Sequence, residues 1–205
     1  VVEFSLTQAS DLRIENKSVY LFDTPLFELK DLHIVGKHNV QNAMVAAAMA
    51  YKMGVNPADI QSAIRDFKGV EHRIEYVCEL GGARYYNDSK GTNCDATIVA
   101  LNAFDQPVIL LAGGYDKKTG FQEMVPYLER VKSMIVFGST KHQLKEIYPE
   151  AIVVENLKEA VELAKTMAKD GDIVLFSPAC ASYDQFDNYE QRGRLFKEFV
   201  NGNES

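Results

Sequence analysis

The stretch PVILLAGG, residues 107–114, largely determines how the second half of the chain folds. Its apolar run is nearly continuous and ends in two glycines. A short run of this kind, without alternation of apolar and polar residues, predicts a strand that is covered on both faces, as in a parallel sheet. The runs SMIVFG (133–138) and DIVLFSPA (172–179) have the same character. The pattern therefore indicates an α/β domain with helices on both faces of a mostly parallel sheet.

Candidate helices separate the strands of this domain. Strands are expected at ARYYN (83–87), PVILLAGG (107–114), SMIVFG (133–138), AIVVE (151–155) and DIVLFSPA (172–179). Helices are expected near 93–104, 120–130, 140–147, 156–169 and 184–200. The pair Gly81-Gly82 predicts the turn of a β-hairpin whose second strand is ARYYN. Strands that alternate with helices in this way are typical of a parallel sheet.

The first 71 residues have a different pattern. VVEFSL (1–6), DLRIENKSVYLF (11–22) and PLFELKDLHIV (25–35) predict a small antiparallel sheet. The segments 38–54 and 56–69 predict two helices that end at their glycines, the second with Asn56 as its cap and Pro57 in its first turn. We place a domain boundary near residue 72, with one domain at 1–71 and the other at 72–205.

Composition excludes several classes of function. The 205 residues carry a formal net charge of −7, which argues against a nucleic-acid partner. The three cysteines show no CxxC spacing and the four histidines no metal-ligand spacing, which fits a reducing compartment without a zinc site. No apolar run reaches the roughly 18 residues that span a bilayer. Neither GxxxxGK[ST] nor GxGxxG after a strand occurs. We expect a cytoplasmic protein without a membrane span.

Polar loops follow the expected strands. In open α/β sheets, ligands bind beyond the carboxyl ends of the strands. The loops there are NDSKGTN (87–93), GGYDKKTG (113–120), FGSTKH (137–142) and SPACASYDQF (177–186). They carry Lys90, Thr92, Lys117 and Ser182, a set that suits a small anion with more than one carboxylate or phosphate. The opposite loops, FDQP (104–107) and KDGD (169–172), read as ordinary turns.

Lys90 precedes an expected helix start, where a cation is disfavoured by about 0.3–1 kcal/mol. Such helix ends attract anions through free backbone N–H groups. The lysine is therefore accounted for either by a substrate anion that shares the site or by simple solvation on a loop.

Five segments, in order, carry a family resemblance: GKHNVQNAMVAA (36–47), GVEHRIE (69–75), NDSKGTN (87–93), LLAGGYDK (110–117) and SPACASYDQFDNYEQRGRLF (177–196). Together they resemble the Mur ligase family. The resemblance implies the end of a central ATP-binding domain at 1–71 and a Rossmann-like domain for the incoming amino acid at 72–205. The family's phosphate loop, magnesium-binding histidine and carbamylated lysine are expected upstream, so we expect no activity from the chain alone.

The resemblance also implies the chemistry. NDSK and the SPACAS segment favour a member that adds D-glutamate to UDP-N-acetylmuramoyl-L-alanine in peptidoglycan synthesis. ATP, with Mg²⁺, would phosphorylate the L-alanine carboxylate, and the D-glutamate amine would attack the acyl phosphate. We expect a monomer. Alternatives are a sibling ligase for another amino acid or for glutamyl units of folate, and a non-catalytic module that binds an amino acid or a nucleotide.

The resemblance implies roles for individual residues. Contacts to D-glutamate are implied for Lys90, Thr92, Lys117, Ser182, Tyr183 and Tyr189. Contacts to the nucleotide are implied for Asn39, Asn42, His72, Arg73 and Asp88.

Three of these residues could instead stabilise local backbone structure. Ser182 could cap the last helix, and Asn39 could cap its own helix. Asp88 could hold an Asx turn in its loop.

Alternatives also remain at three other positions. Tyr189 lies on an apolar stripe with core spacing, so it could be a packed core residue. His72 and Arg73 could form a salt bridge, and Lys118 could take the role implied for Lys117.

Overall fold

The computed structural model describes residues 3–6 and 10–202. The chain divides into two compact units, Val1–Gly69 and Val70–Ser205. Within the expected first strand, residues 1–2 lie outside the described part, and Phe4 forms a single parallel bridge with Leu12. Assignment of residues 1–71 to the end of an ATP-binding domain stays a prediction. No helix in the described residues is both long and apolar enough to cross a membrane.

The first unit contains the expected small antiparallel sheet. Its strands are β1 (Leu12–Glu15), β2 (Ser18–Leu21) and β3 (Thr24–Glu28), in the order β1-β2-β3. Helices α1 (Lys37–Lys52) and α2 (Pro57–Asp66) follow. Apolar residues of the strands pack against one face of α1, where Ala43, Met44, Ala47 and Ala48 are buried.

The second helix begins as expected but ends early. Asn56 Oδ1 accepts a hydrogen bond from the Ala58 N–H at 2.9 Å, and Pro57 occupies the first helical position. The expected end at Gly69 is wrong, because Phe67 already has an extended backbone. The Phe67 N–H donates to the Ala63 carbonyl at 3.0 Å, as the last bond of the helix. Helix α2 thus ends at Asp66, three residues before Gly69.

The second unit contains a six-stranded sheet in the order β4-β5-β9-β6-β7-β8. The strands are β4 (Glu75–Leu80), β5 (Ala83–Asn87), β6 (Val108–Gly113), β7 (Val131–Phe137), β8 (Ile152–Val153) and β9 (Ile173–Phe176). The hairpin between β4 and β5 is antiparallel, and the other pairings of these strands are parallel. The predicted mostly parallel sheet is confirmed.

The α-helices that connect or follow these strands are α3 (Cys94–Leu101), α4 (Lys141–Ile147), α5 (Leu157–Met167) and α6 (Tyr189–Asn201). The helix expected at 120–130 is a 3-10 helix, Gln122–Arg130, that contains Pro126. Proline lacks the N–H that an α-helical bond would need, which disfavours an α-helix here. The last helix begins at Tyr189 rather than near 184, because the Asn188 side chain caps it by accepting from the Gln191 N–H.

Helices cover the sheet on both faces. Tyr85, Ile109, Phe137 and Phe176 pack with buried residues of α5 and α6, including Val161 and Phe196. The neighbouring strand residues Tyr86, Leu110, Met134 and Leu175 are buried as well, and successive residues of a strand point to opposite faces. The continuous apolar runs in the sequence are explained by this double coverage.

Candidate functional site

Buried polar groups gather at the carboxyl edge of the six-stranded sheet. Within the described residues, the buried polar and charged side chains are His72, Asn87, Asp88, Ser89, Thr97, Thr140, Ser177, Ser182 and Arg192. Each belongs to a loop that leaves a parallel strand or to a segment packed on such a loop. Buried polar groups are costly unless they are hydrogen-bonded. Their concentration at one edge therefore marks a built polar structure rather than a solvated rim.

The loop after β5 is held by its own backbone and by Asn87. Asn87 Oδ1 accepts from the Ser89 N–H at 3.1 Å, which forms an Asx turn. The Lys90 N–H donates to the His72 carbonyl at 3.1 Å. The alternative of an Asx turn at Asp88 is wrong, because Asn87 supplies the turn and the Asp88 carboxylate points to other partners.

Arg192 joins two of the loops at this edge. Its guanidinium donates to the Ser89 carbonyl at 2.8 Å and to the Cys180 and Ala181 carbonyls at 3.0 Å each. A further bond at 3.1 Å goes to the Ser89 hydroxyl, which in turn donates to the Tyr189 carbonyl at 2.8 Å. The side chain is fully buried, and burial lowers its pKa to about 10. Arg192 thus fixes the loop after β5 against the loop after β9.

The structure brings two of the predicted anion-binding residues into contact. Lys117 Nζ donates to the Thr92 carbonyl at 2.9 Å, so this lysine reaches the loop that carries Lys90. Lys118 donates by its backbone N–H to the Asp116 side chain, at 2.6 Å. The choice between Lys117 and Lys118 for the contact with D-glutamate stays a prediction.

Lys90 does not lie at a helix end. Helix α3 begins at Cys94, and Asn93 caps it by accepting from the Ala96 N–H at 2.9 Å. Three residues therefore separate the lysine from the first turn. The ammonium is directed instead towards the half-buried Tyr189, with Nζ 3.2 Å from the hydroxyl oxygen and 5.0 Å from the centre of the ring.

Ser182 and Tyr183 lie on the loop after β9. The Ser182 carbonyl accepts from the N–H groups three and four residues later, at 3.2 and 2.9 Å. Its alternative role as the cap of the last helix is wrong, since Asn188 holds that position. Tyr183 is 69% exposed and packs edge-on against Tyr115, with ring centres 6.2 Å apart.

The loops after β6 and β9 are also tied together. The Tyr115 N–H donates to the Ala181 carbonyl at 2.9 Å. The loop after β7 is joined to the loop after β6 as well, because Thr140 Oγ1 accepts from the Gly114 N–H at 3.1 Å. A side chain at Gly114 would collide with the Ala181 carbonyl, which explains the glycine. Burial raises the pKa of the Cys180 thiol to about 12, so it is not a thiolate nucleophile.

Asp88 is a buried carboxyl with specific donors. Oδ2 accepts from the Ser177 hydroxyl at 2.7 Å, and Oδ1 accepts from the Ile74 N–H at 3.2 Å. Burial raises the pKa of Asp88 to about 7, although these two donors and the nearby Arg73 and Arg192 act in the opposite direction. Desolvation is the largest of these effects, because it disfavours the charged form.

His72 is buried beside the end of β5. Its Nδ1 lies 2.9 Å from the Asn87 amide nitrogen, and its ring meets Tyr189 edge-on at 6.0 Å. Since the Asn87 oxygen already accepts from Ser89, the amide nitrogen is the donor and Nδ1 the acceptor. Burial lowers the pKa of His72, so the neutral form is favoured.

Two carboxylates lie close to the His72 ring. Glu71 and Glu75 lie 3.7 and 3.9 Å from its ring nitrogens, a geometry that forms an ion pair when the ring is protonated. The salt bridge considered for His72 and Arg73 therefore stays an alternative. Arg73, the next residue, is exposed.

The metal fit is poor in the described residues. The one group there with three close ligand atoms is Glu71, His72 and Glu75. Lys197 Nζ already bonds Glu71 Oε1 at 2.7 Å and Glu75 Oε1 at 3.0 Å. Mg²⁺ prefers oxygen ligands in octahedral geometry, which a histidine and two carboxylates paired with a lysine do not supply. This group among the described residues therefore does not fit a magnesium centre.

Asn39 and Asn42 belong to the first unit. Asn39 lies in the first turn of α1 and donates from its side chain to the Val35 carbonyl at 2.7 Å. Its alternative role as the helix cap is wrong, because Gly36 occupies the cap position. Asn42 is exposed on the next turn. The nucleotide contacts implied for these two residues stay predictions.

Comparison with known proteins defines the class of the chain. The family described as Mur ligase, glutamate ligase domain, matches residues 72–180, more than half of the sequence. The chain therefore belongs to this family. The predicted family resemblance is confirmed.

Several curated relatives carry one name, UDP-N-acetylmuramoylalanine–D-glutamate ligase. The protein of Caldicellulosiruptor saccharolyticus is 49% identical over 83% of this chain and 39% of its own length. Those of Caldicellulosiruptor bescii and Bacillus subtilis are 44% and 36% identical over 98% of this chain, and 47% and 46% of their own lengths. The chain spans less than half the length of each.

Solved structures support the fold. UDP-N-acetylmuramate-alanine ligase from Thermotoga maritima superposes with a TM-score of 0.65 at 18% identity, over 97% of this chain and 47% of that one. UDP-N-acetylmuramoyl-L-alanyl-D-glutamate–2,6-diaminopimelate ligase gives 0.65 at 15% identity, over 98% and 47%. At such identities the likeness is evidence of a shared fold alone.

Sequence reasoning missed two structural residues of the site. Arg192 stands inside the quoted segment 177–196, but only its buried position reveals that it joins two loops. A signal was available, because an arginine three residues from Tyr189 and four from Phe196 lies on the inner side of the helix. The sequence also places Asn87 at the end of a strand, where its ability to form an Asx turn is easily overlooked.

Proposed function

We propose that this chain is the amino-acid-binding part of an ATP-dependent ligase that joins D-glutamate to UDP-N-acetylmuramoyl-L-alanine in cytoplasmic peptidoglycan synthesis. The support is the relatives that carry this name at 36–49% identity. The solved structures of sibling ligases are only 15–18% identical to this chain, so their similarity does not distinguish one member of the fold from another. The D-glutamate enzyme is therefore favoured over its siblings.

The proposed reaction has two steps. ATP phosphorylates the L-alanine carboxylate, which releases ADP and forms an acyl phosphate. The D-glutamate amine then attacks the acyl carbon, the bond to the phosphate oxygen breaks, and the amide forms as the amine loses its proton. Such a reaction depends mainly on the positions of the reactants and on neutralisation of charge.

The observation that carries the role of this chain is the contact between Lys117 and Thr92. Lys117 Nζ reaches the Thr92 carbonyl at 2.9 Å, which brings a second ammonium to the loop that holds Lys90. Two cations near one loop suit an amino acid with two carboxylates. Ser182 and Tyr183 lie on the loop after β9, which a buried guanidinium ties to this one, and they complete the proposed D-glutamate side.

The nucleotide side of the proposal rests on fewer contacts. Asp88 and His72 are buried at the loop after β5, and Arg73 is exposed next to them. We assign these three residues, with Asn39 and Asn42, to ATP. In line with the family resemblance, we assign Mg²⁺ to ligands elsewhere in the ligase, which we propose acts as a monomer.

The test is an assay of the complete ligase with purified UDP-N-acetylmuramoyl-L-alanine, ATP and one amino acid at a time. We expect phosphate release and amide formation with D-glutamate, and none with L-glutamate or diaminopimelate. This chain alone, which contains no GxxxxGK[ST] loop, should show no turnover of ATP. Equal use of another amino acid would support a sibling ligase. ATP turnover by the chain alone would contradict the proposal that this chain is only the amino-acid-binding part of the ligase.

A further inference from the structure

Lys90 is held by one side chain of the last helix. Its ammonium lies 3.2 Å from the Tyr189 hydroxyl oxygen and 5.0 Å from the centre of the same ring. An ammonium can only donate, so the phenol oxygen is the acceptor. The ring face adds a cation–π attraction. One tyrosine therefore makes two different contacts with the lysine.

The Tyr189 ring is itself fixed. It is the first residue of α6, and its carbonyl accepts from the Ser89 hydroxyl at 2.8 Å. The edge of His72 packs against it at 6.0 Å, with the two rings nearly perpendicular. The backbone of Lys90 is fixed as well, through its N–H bond to the His72 carbonyl. Both ends of the contact are therefore attached to the same rigid assembly.

We propose that Tyr189 is a positioning residue for Lys90, whose hydroxyl and ring hold the ammonium in place before the substrate carboxylate arrives. The inference rests on the proposed function, in which Lys90 binds D-glutamate. It gives Tyr189 a role different from the direct contact with D-glutamate that the family resemblance implies. A free lysine side chain loses rotamer freedom when it binds a ligand, and a side chain that is already held has less to lose.

The test compares Tyr189→Phe and Lys90→Ala in the complete ligase, singly and together. Tyr189→Phe keeps the ring, and hence the packing on His72, but removes the accepting oxygen. We expect its KM for D-glutamate to rise about three- to tenfold, with the KM for ATP unchanged. In the Lys90→Ala background the same substitution should have no further effect on D-glutamate, because the group that it positions is gone.

A matched control tests whether removing any tyrosine hydroxyl from this chain would change the KM for D-glutamate. Tyr148→Phe removes a hydroxyl that donates to the Val131 carbonyl at 3.3 Å, at the start of β7. It should leave both KM values unchanged. Thermal unfolding of each variant verifies that the fold is intact.

The outcomes distinguish the two proposals. If Lys90→Ala raises the KM for D-glutamate but Tyr189→Phe does not, the positioning role is overturned and the proposed function stands. If the two effects multiply in the double variant, Tyr189 acts independently of Lys90 and the inference is again overturned. If Lys90→Ala leaves D-glutamate use unchanged, both the role of Lys90 and the inference fail.

Discussion

The two edges of the six-stranded sheet are built differently. At the carboxyl edge, side chains such as Arg192, Ser89 and Asp88 are buried and hydrogen-bonded within and between the loops. At the amino edge, Lys132 pairs with Asp172 at 2.6 Å near the surface. Both edges are polar in sequence. Burial of the polar groups, rather than their number, therefore distinguishes a site from a turn.

Among substitutions at the two edges, the largest loss in the free energy of unfolding should come from replacing Arg192. Arg192→Met removes donors from three buried carbonyls and one hydroxyl. Each buried acceptor left without its donor costs about 1–3 kcal/mol, so the loss of several donors should cost about 3 kcal/mol or more. We expect a loss of that size in the free energy of unfolding of the second unit, measured with urea.

Arg194 provides the matched control, since it is an exposed arginine two residues along the same helix. Arg194→Met should change the free energy of unfolding by about 0.5 kcal/mol or less. Arg192→Lys should not restore stability, because an ammonium cannot bond four oxygens in the geometry of the guanidinium. Equal effects of Arg192→Met and Arg194→Met would contradict the role of Arg192.

Asp88 should make stability depend on pH. Its pKa in the folded chain, about 7, lies above the ordinary value of 3.8. Between these values the folded state keeps a proton that the unfolded state has lost, so stability falls as pH rises through this window and levels off above it. The total is roughly 4 kcal/mol, since the shift is about three pKa units at about 1.4 kcal/mol each.

Asp88→Asn removes the titrating group but keeps an oxygen for the Ile74 N–H. The difference in unfolding free energy between the variant and the original chain should therefore grow in favour of the variant from pH 5 to pH 8. Urea unfolding at the two pH values measures it. The same difference at both values would show that Asp88 titrates normally.

The smallest effect is expected at the amino edge. Lys132→Met removes the exposed ion pair with Asp172, and such pairs contribute about 0–1 kcal/mol. Added salt should reduce even this amount. A loss comparable with that of Arg192→Met would remove the contrast between the two edges.

The sheet could be predicted from sequence because its signals are local. Runs such as 107–114 contain no charged position that must face water, and Gly81-Gly82 marks the hairpin between β4 and β5. Helix ends were harder to predict from sequence where two nearby residues could each serve as the cap. Asn188 and Ser182 are both good caps, and the sequence does not say which one the helix uses.

The residues of the candidate site also differ in how well the sequence alone predicts them. Lys90, Thr92 and Lys117 could be named because they lie on polar loops after strands, and the structure brings these loops together. The buried position of Arg192 had a signal in the helical spacing, but its partners could not be assigned, since most of them are backbone carbonyls up to 103 residues away. Backbone partners leave no trace in the side-chain pattern. Roles towards substrates stay predictions for all of these residues.

The most direct test of the role of the carboxyl edge is steady-state kinetics of the complete ligase with Lys90→Ala, varying D-glutamate and ATP in turn. Loss of one charge-assisted contact costs about 1.5–3 kcal/mol, or roughly ten- to a hundredfold. We predict a loss of that size in the use of D-glutamate, with ATP use little changed. Weakened use of ATP with unchanged dependence on D-glutamate would contradict the claim that the carboxyl edge around Lys90 binds the incoming amino acid.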